Sequence, residues 1–158
     1  MPLTAIRVLS VAFRLDQDPA QVSDARERAR EALPSWGLAG HVYLAEIIVS
    51  ELVTNAMRHG DGPIGVRLSY AGGDLRVEVH DRGAGRPVRR HTATDDECGH
   101  GLELLDGLIA LHGGQRGVVN DRAGRGKTVY VAVPLVAARP VASQQRAARV
   151  IADDPEEG

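Results

Sequence analysis

Two alternating stretches, Ile64 to Tyr70 and Leu75 to Val79, flank the tetrapeptide Ala71-Gly72-Gly73-Asp74. No other feature constrains the fold as tightly. Alternation sends every second side chain to one face, as a half-buried strand requires. The two glycines can adopt the positive φ of a tight two-residue turn. Ile64, Val66, Leu68 and Tyr70 share one face, with Arg67 and Ser69 on the other, and Leu75, Val77 and Val79 form the return strand. A lone hairpin is at best marginally stable in water. More strands must extend it, and something must cover its apolar face.

The stretch Glu46 to Gly60 is built to provide that cover. At about 100° per residue, Leu44, Ala45, Ile47, Ile48, Val49, Leu52 and Ala56 form a broad apolar arc. Glu46, Ser50 and Thr54 lie opposite, and Gly60 is expected to close the helix as a C-terminal glycine. Glu51, Asn55 and Arg58 break the pattern, because they project from within the apolar arc at i, i+4 and i+7. Burying a carboxylate and an amide without partners costs several kcal/mol. Two readings are open: a satisfied polar network or wet helix edge, or a site where Asn55 holds a metal and Glu51 handles a proton.

Before this helix, Ile6 to Leu15 reads as a strand at a sheet edge. Asp18-Pro19 starts a helix with Val22, Ala25, Ala29, Ala32 and Leu33 on one face, which Pro34 and Gly37 end. Arg26, Arg30 and neighbouring acids make its solvated side. After the hairpin, a long polar loop from Val88 to Cys98 precedes Gly99-His100-Gly101, which is expected to open a helix carrying Leu102, Leu105, Leu108 and Ile109 on one face. Gly113-Gly114 stops that helix. Arg116 to Asn120 reads as a short strand, Arg122 to Gly126 as a turn and Thr128 to Val133 as a strand ended by Pro134. The expectation is a two-layer α/β sandwich, with a mixed, mostly antiparallel sheet and helices on one face. One domain spans residues 1–136, and residues 137–158 form a partly disordered tail in which Ser143 to Ile151 is a candidate helix.

Composition narrows the function classes. A formal net charge of −2 shows no basic surface for nucleic acid. Cys98 is the only cysteine, which rules out an intrachain disulfide and argues against a thiolate zinc site. The first fifteen residues lack the pattern of a signal peptide, and no run approaches the ~20 apolar residues of a membrane span. The expected location is the cytoplasm, with no direct nucleic-acid or membrane partner.

Three glycine clusters then need a reading. Asp81-Arg82-Gly83-Ala84-Gly85 follows a strand directly, and a carboxylate at a strand end can accept a hydrogen bond from an exocyclic amine such as that of adenine. Gly99-His100-Gly101 at a helix start suits an anion such as phosphate, with the preceding loop as a lid. Each motif alone is a common turn or cap. Gly126-Lys127-Thr128 imitates a P-loop but lacks its first glycine, since position 121 is Asp121, and it leads into a strand rather than a helix. A Rossmann fingerprint fails for want of a third glycine.

In order, Glu51-x-x-x-Asn55, Asp81-x-Gly83-x-Gly85, Gly99-x-Gly101 and Gly126-x-Thr128 are far more specific together. The set resembles the ATP-binding site of the histidine-kinase-like ATPase superfamily, shared by gyrase, Hsp90, MutL and histidine kinases. SELVTNAMRHG, VEVHDRGAGRP, GHGLELLDGL and GRGKTVYVAVPL look most like the serine/threonine kinases among anti-sigma factors, and the resemblance covers roughly Asp18 to Leu135. It implies that Asn55 coordinates Mg²⁺ bridging the ATP phosphates and that Asp81 binds the adenine amino group with support from Thr128, directly or through water. It also implies that Gly83 and Gly85 shape the base pocket, and that Gly99, His100, Gly101 and Leu102 cap the phosphates. Glu51 would accept a serine proton, and Arg58 would approach a phosphate. The stretch LHGGQRG departs from the tryptophan-glycine of close relatives, which leaves partner identity open.

The expected function is an ATP-binding anti-sigma regulator that sequesters a sigma factor and, with ATP and Mg²⁺, phosphorylates a serine of an anti-anti-sigma protein; homodimerisation is left open. The alternatives are a non-catalytic nucleotide-gated protein-binding module and a detached histidine kinase catalytic domain. The last is disfavoured because no helical dimerisation segment with a phospho-acceptor histidine precedes the domain.

Overall fold

The computed structural model describes residues 5–83 and 96–138, and for residues 96–102 the backbone alone. Among the described residues, five strands form one sheet: β1 (Leu9–Leu15), β2 (Ile64–Ala71), β3 (Asp74–Asp81), β4 (Gln115–Asn120) and β5 (Lys127–Pro134), in the order β1-β2-β3-β5-β4. Its four ladders are antiparallel. Three described α-helices, α1 (Val22–Ser35), α2 (Val42–His59) and α3 (Asp96–Leu111), complete the two-layer α/β sandwich. The expected two-layer architecture is the one found, with every described ladder antiparallel.

The hairpin is the centre of the sheet. Gly72 and Gly73 both have positive φ, 58° and 84°, so the two-residue turn matches the twist of its strands. Ile64, Val66 and Leu68 of β2 are buried, as are Leu75, Val77 and Val79 of β3. β1 lies at the edge, as expected, but begins at Leu9 rather than Ile6.

α2 covers this apolar face. Leu44, Ala45, Ile48, Val49, Leu52, Val53 and Ala56 are buried, and each fully buried aliphatic side chain contributes roughly 1.5–3 kcal/mol. α1 lays Ala25, Ala29 and Leu33 into the same core, and the small alanines let two helices approach closely. Pro34 does not stop α1 immediately; it sits in the last turn, and the helix runs to Ser35. Outside the core, Arg30 pairs with Glu46 of α2, and this hydrogen bond and charge raise the pKa of the guanidinium.

α3 adds Leu105 and Ile109 to the core. It starts at Asp96, three residues before the expected Gly99. Residues 88–95 of the expected polar loop, the candidate helix Ser143 to Ile151 and the tail beyond residue 138 lie outside the described residues. No described helix is long and apolar enough to cross a membrane.

Candidate functional site

The inward face of the β3–β5 ladder is a run of aliphatic pairs: Leu75 with Val133, Val77 with Val131, and Val79 with Val129. The next pair on that face is Asp81 with Lys127. A carboxylate and an ammonium thus occupy the last rung of a hydrophobic ladder. Asp81 is 0% exposed and Lys127 4%. Two such charges are costly to bury unless they are paired and hydrogen-bonded.

Asp81 is paired on one side only. Its Oδ1 accepts the Gly83 backbone N–H at 2.7 Å and the Lys127 ammonium, whose Nζ lies 3.3 Å away. Its Oδ2 is buried and has no hydrogen-bond partner among the described residues. A buried charged oxygen left unsatisfied costs more than a neutral one. That oxygen is the acceptor an exocyclic amine needs.

Two glycines close around this carboxylate, and a third stands against the Asp81 backbone. A Cβ on Gly60 would stand 2.6 Å from Asp81 Cγ, and one on Gly83 would stand 2.8 Å from Asp81 Oδ1. On Gly126 it would stand 2.7 Å from the Asp81 carbonyl oxygen. None of these spaces holds a side chain. Gly60 is the C-cap of α2, as expected, but its φ of −99° is not left-handed; close approach to the Ala56 carbonyl and to Asp81 is what demands a glycine. The Arg82 N–H donating to the Asp61 carbonyl at 2.9 Å ties the end of β3 to the loop after α2.

The remaining expected residues fall into three groups. Glu51 and Asn55 are half-buried on α2, one turn apart, and Arg58 is exposed. The arrangement fits a helix edge open on one side rather than a buried polar network. Thr128 pairs with His80, not Asp81, so strand alternation puts its side chain on the outer face. Direct support of Asp81 by Thr128 is therefore not what the register provides; Lys127 has that place. The signal for Lys127 was present, since counting back by twos from Val133, Val131 and Val129 reaches it. Gly85 and the side chains of His100 and Leu102 lie outside the described residues, and of Gly99 and Gly101 only the helical backbone is described. Because α3 begins at Asp96, the unpaired N–H groups of its first turn belong to residues before Gly101 and Leu102.

Among the described residues, no group of three or more His, Cys, Asp or Glu side chains could hold a metal alone. Mg²⁺ rarely needs one, since it is commonly held by one or two protein oxygens, water and substrate phosphates. The side-chain carbonyl of Asn55 suits that role.

Among curated proteins there is no match to this chain. Among solved structures, it is similar to the blue-light activated histidine kinase of Erythrobacter litoralis, with 29% identity, TM-score 0.45 and coverage of 67% of this chain and 33% of that one. The histidine kinase domain of that protein gives 22% identity and TM-score 0.45 over 77% and 66% of the two chains. The RsbU and RsbW domains of a Mycobacterium tuberculosis protein give 22% identity and TM-score 0.50 over 84% and 34%. The chain thus spans less than two thirds of each of these proteins, and the last likeness is one of fold. The profile of the histidine kinase-, DNA gyrase B- and HSP90-like ATPases matches residues 41–137. Since that match covers most of the chain and carries Gly60, Asp81, Gly83 and Gly126 together, the chain belongs to the histidine kinase-, DNA gyrase B- and HSP90-like ATPase family.

Proposed function

We propose that this chain is a nucleotide-gated protein-binding module whose ligand is ATP with Mg²⁺. The observation that carries the reading is Asp81 Oδ2, a buried carboxylate oxygen without a partner among the described residues, at a strand end walled by glycines. The 6-amino group of adenine would donate to it. The phosphates would then run along α2 toward the start of α3, where Asn55 would hold Mg²⁺. When bound, the metal neutralises charge on the phosphate oxygens. Nucleotide occupancy would set which surface the module offers to a protein partner. Gly85, Gly99, His100, Gly101 and Leu102 remain proposed contacts of base and phosphates, and residues 1–136 the proposed domain.

A second reading makes the module an active serine kinase of anti-sigma type, cytoplasmic, with a sigma factor and an anti-anti-sigma protein as partners. Its support is the placement of Glu51 one turn before Asn55, both half-buried on the same helix. In that reaction the serine oxygen attacks the γ-phosphorus, the bond to the β-phosphate oxygen breaks to release ADP, and the serine proton passes to Glu51. Positioning and charge stabilisation supply most of the rate. The test recovers partners from the native cell with and without ATP, then supplies labelled ATP. A partner whose capture depends on ATP supports the module; capture indifferent to nucleotide refutes gating. Label on a partner serine, reduced about 10²–10⁴-fold in Glu51→Ala with ATP binding retained, supports the kinase. Transfer at the wild-type rate by that variant removes Glu51 from the mechanism.

A further inference from the structure

We propose that Lys127 reads the base: with ATP bound, its ammonium donates a hydrogen bond to N1 of adenine while Asp81 Oδ2 accepts from the 6-amino group. The inference rests on the ATP reading above and adds a specificity-determining residue to that site.

The argument begins with unspent hydrogen-bonding capacity. Lys127 is the only lysine of the chain, whose other basic residues are arginines. It is buried beside Asp81 in the last rung of the inward face of β3 and β5. An ammonium carries three N–H donors. Among the described residues Lys127 spends one, on Asp81 Oδ1 at 3.3 Å, longer than the ~2.7–2.9 Å of a good charge-assisted bond. Oδ1 already holds the Gly83 N–H at 2.7 Å, and Oδ2 has no partner among the described residues. The pair therefore presents a free acceptor next to free donors. A structural ion pair would be expected to satisfy itself, since a half-satisfied buried network is unfavourable.

The ligand edge that completes such a pair has a donor beside an acceptor. Adenine presents this at its 6-amino group and N1. Guanine in the same pose would present a carbonyl to Asp81 and an N–H to Lys127, a mismatch at both places. Lys127 would thus sharpen the preference for adenine that Asp81 alone provides. Arginine would not serve as well, because its planar fork is bulkier than a point ammonium.

The test uses the full chain and two ligands, Mg·ATP and Mg·1-deaza-ATP, which lacks only the N1 acceptor. Binding is measured by calorimetry for wild type and Lys127→Met. Wild type should bind the analogue about 10- to 100-fold more weakly than ATP, the range for a hydrogen bond to a charged group. Lys127→Met should bind the two alike and discriminate less against GTP. Should that variant unfold, the wild-type comparison still decides. With lysine-specific ¹⁵N labelling, the one side-chain ammonium signal should shift with ATP and not in the same way with the analogue. If wild type binds ATP and 1-deaza-ATP equally, Lys127 is a structural counterion of Asp81 only, and the ATP reading stands. If wild type binds neither, both the inference and the ATP reading fall.

Discussion

Replacing Gly60 by alanine adds one methyl group where there is no room for it. The new Cβ would stand 2.6 Å from Asp81 Cγ and 2.8 Å from Asp81 Oδ1, and against the Ala56 carbonyl. Carbon–carbon contacts are comfortable at about 3.5–4.0 Å, so the Cγ contact is short by about 1 Å. Asp81 cannot easily move aside. Its Oδ1 is held by Gly83 and Lys127, and a Cβ on Gly83 would itself meet that oxygen. The C-terminal turn of α2 must shift instead, at the ~1–3 kcal/mol typical of overpacking. For a domain of this size the thermal midpoint should fall on the order of 3–12 °C. The strain left at Asp81 should also weaken its proposed bond to the base, by up to that bond's worth of about 1–3 kcal/mol or roughly 5- to 150-fold in Kd. Gly40→Ala is the control, since nothing lies within 4 Å of a Cβ there. Thermal unfolding and ATP calorimetry on both variants decide the matter. A Gly60→Ala protein with wild-type midpoint and affinity would refute the claim that close approach to Asp81 fixes this glycine.

Two further substitutions test the frame around the site. Gly107 lies inside α3 with open space at its Cβ, so Gly107→Ala should stabilise the protein by about 0.5–1 kcal/mol through reduced backbone entropy; a lower midpoint would dispute the helix there. The Tyr70 hydroxyl donates to the Leu135 carbonyl at 2.7 Å, and Tyr70→Phe should cost about 0.5–1.5 kcal/mol in denaturant unfolding, whereas an unchanged midpoint would show that solvent replaces the bond.

What was legible in the sequence was local and periodic. Alternation around Gly72-Gly73 sufficed for the hairpin, and the same alternation brought Asp81 to the end of a buried face. The helical arc of α2 was equally plain, because its period survives three polar interruptions. The order β1-β2-β3-β5-β4 was not legible, since pairing β3 with β5 joins residues some fifty positions apart and leaves no local trace. Gly60 is legible as the end of α2, but its close approach to Asp81 is not, because only the fold brings β3 near it. Lys127 escaped notice because Gly126-Lys127-Thr128 invites comparison with phosphate loops. Reading β5 from Thr128 cuts off the one rung of the inward face that carries charge.

The central claim is that Asp81 Oδ2 receives the 6-amino group of ATP. The direct measurement is calorimetric titration of the full chain with Mg·ATP and with Mg·purine riboside triphosphate, which differs only in lacking that amine, repeated with Asp81→Asn. Wild type should bind ATP at one saturable site and bind the analogue roughly 5- to 150-fold more weakly. Asp81→Asn, which puts an amide in place of the carboxylate, should lose most of that difference. Equal binding of the two nucleotides by wild type, or no binding of either, would contradict the account.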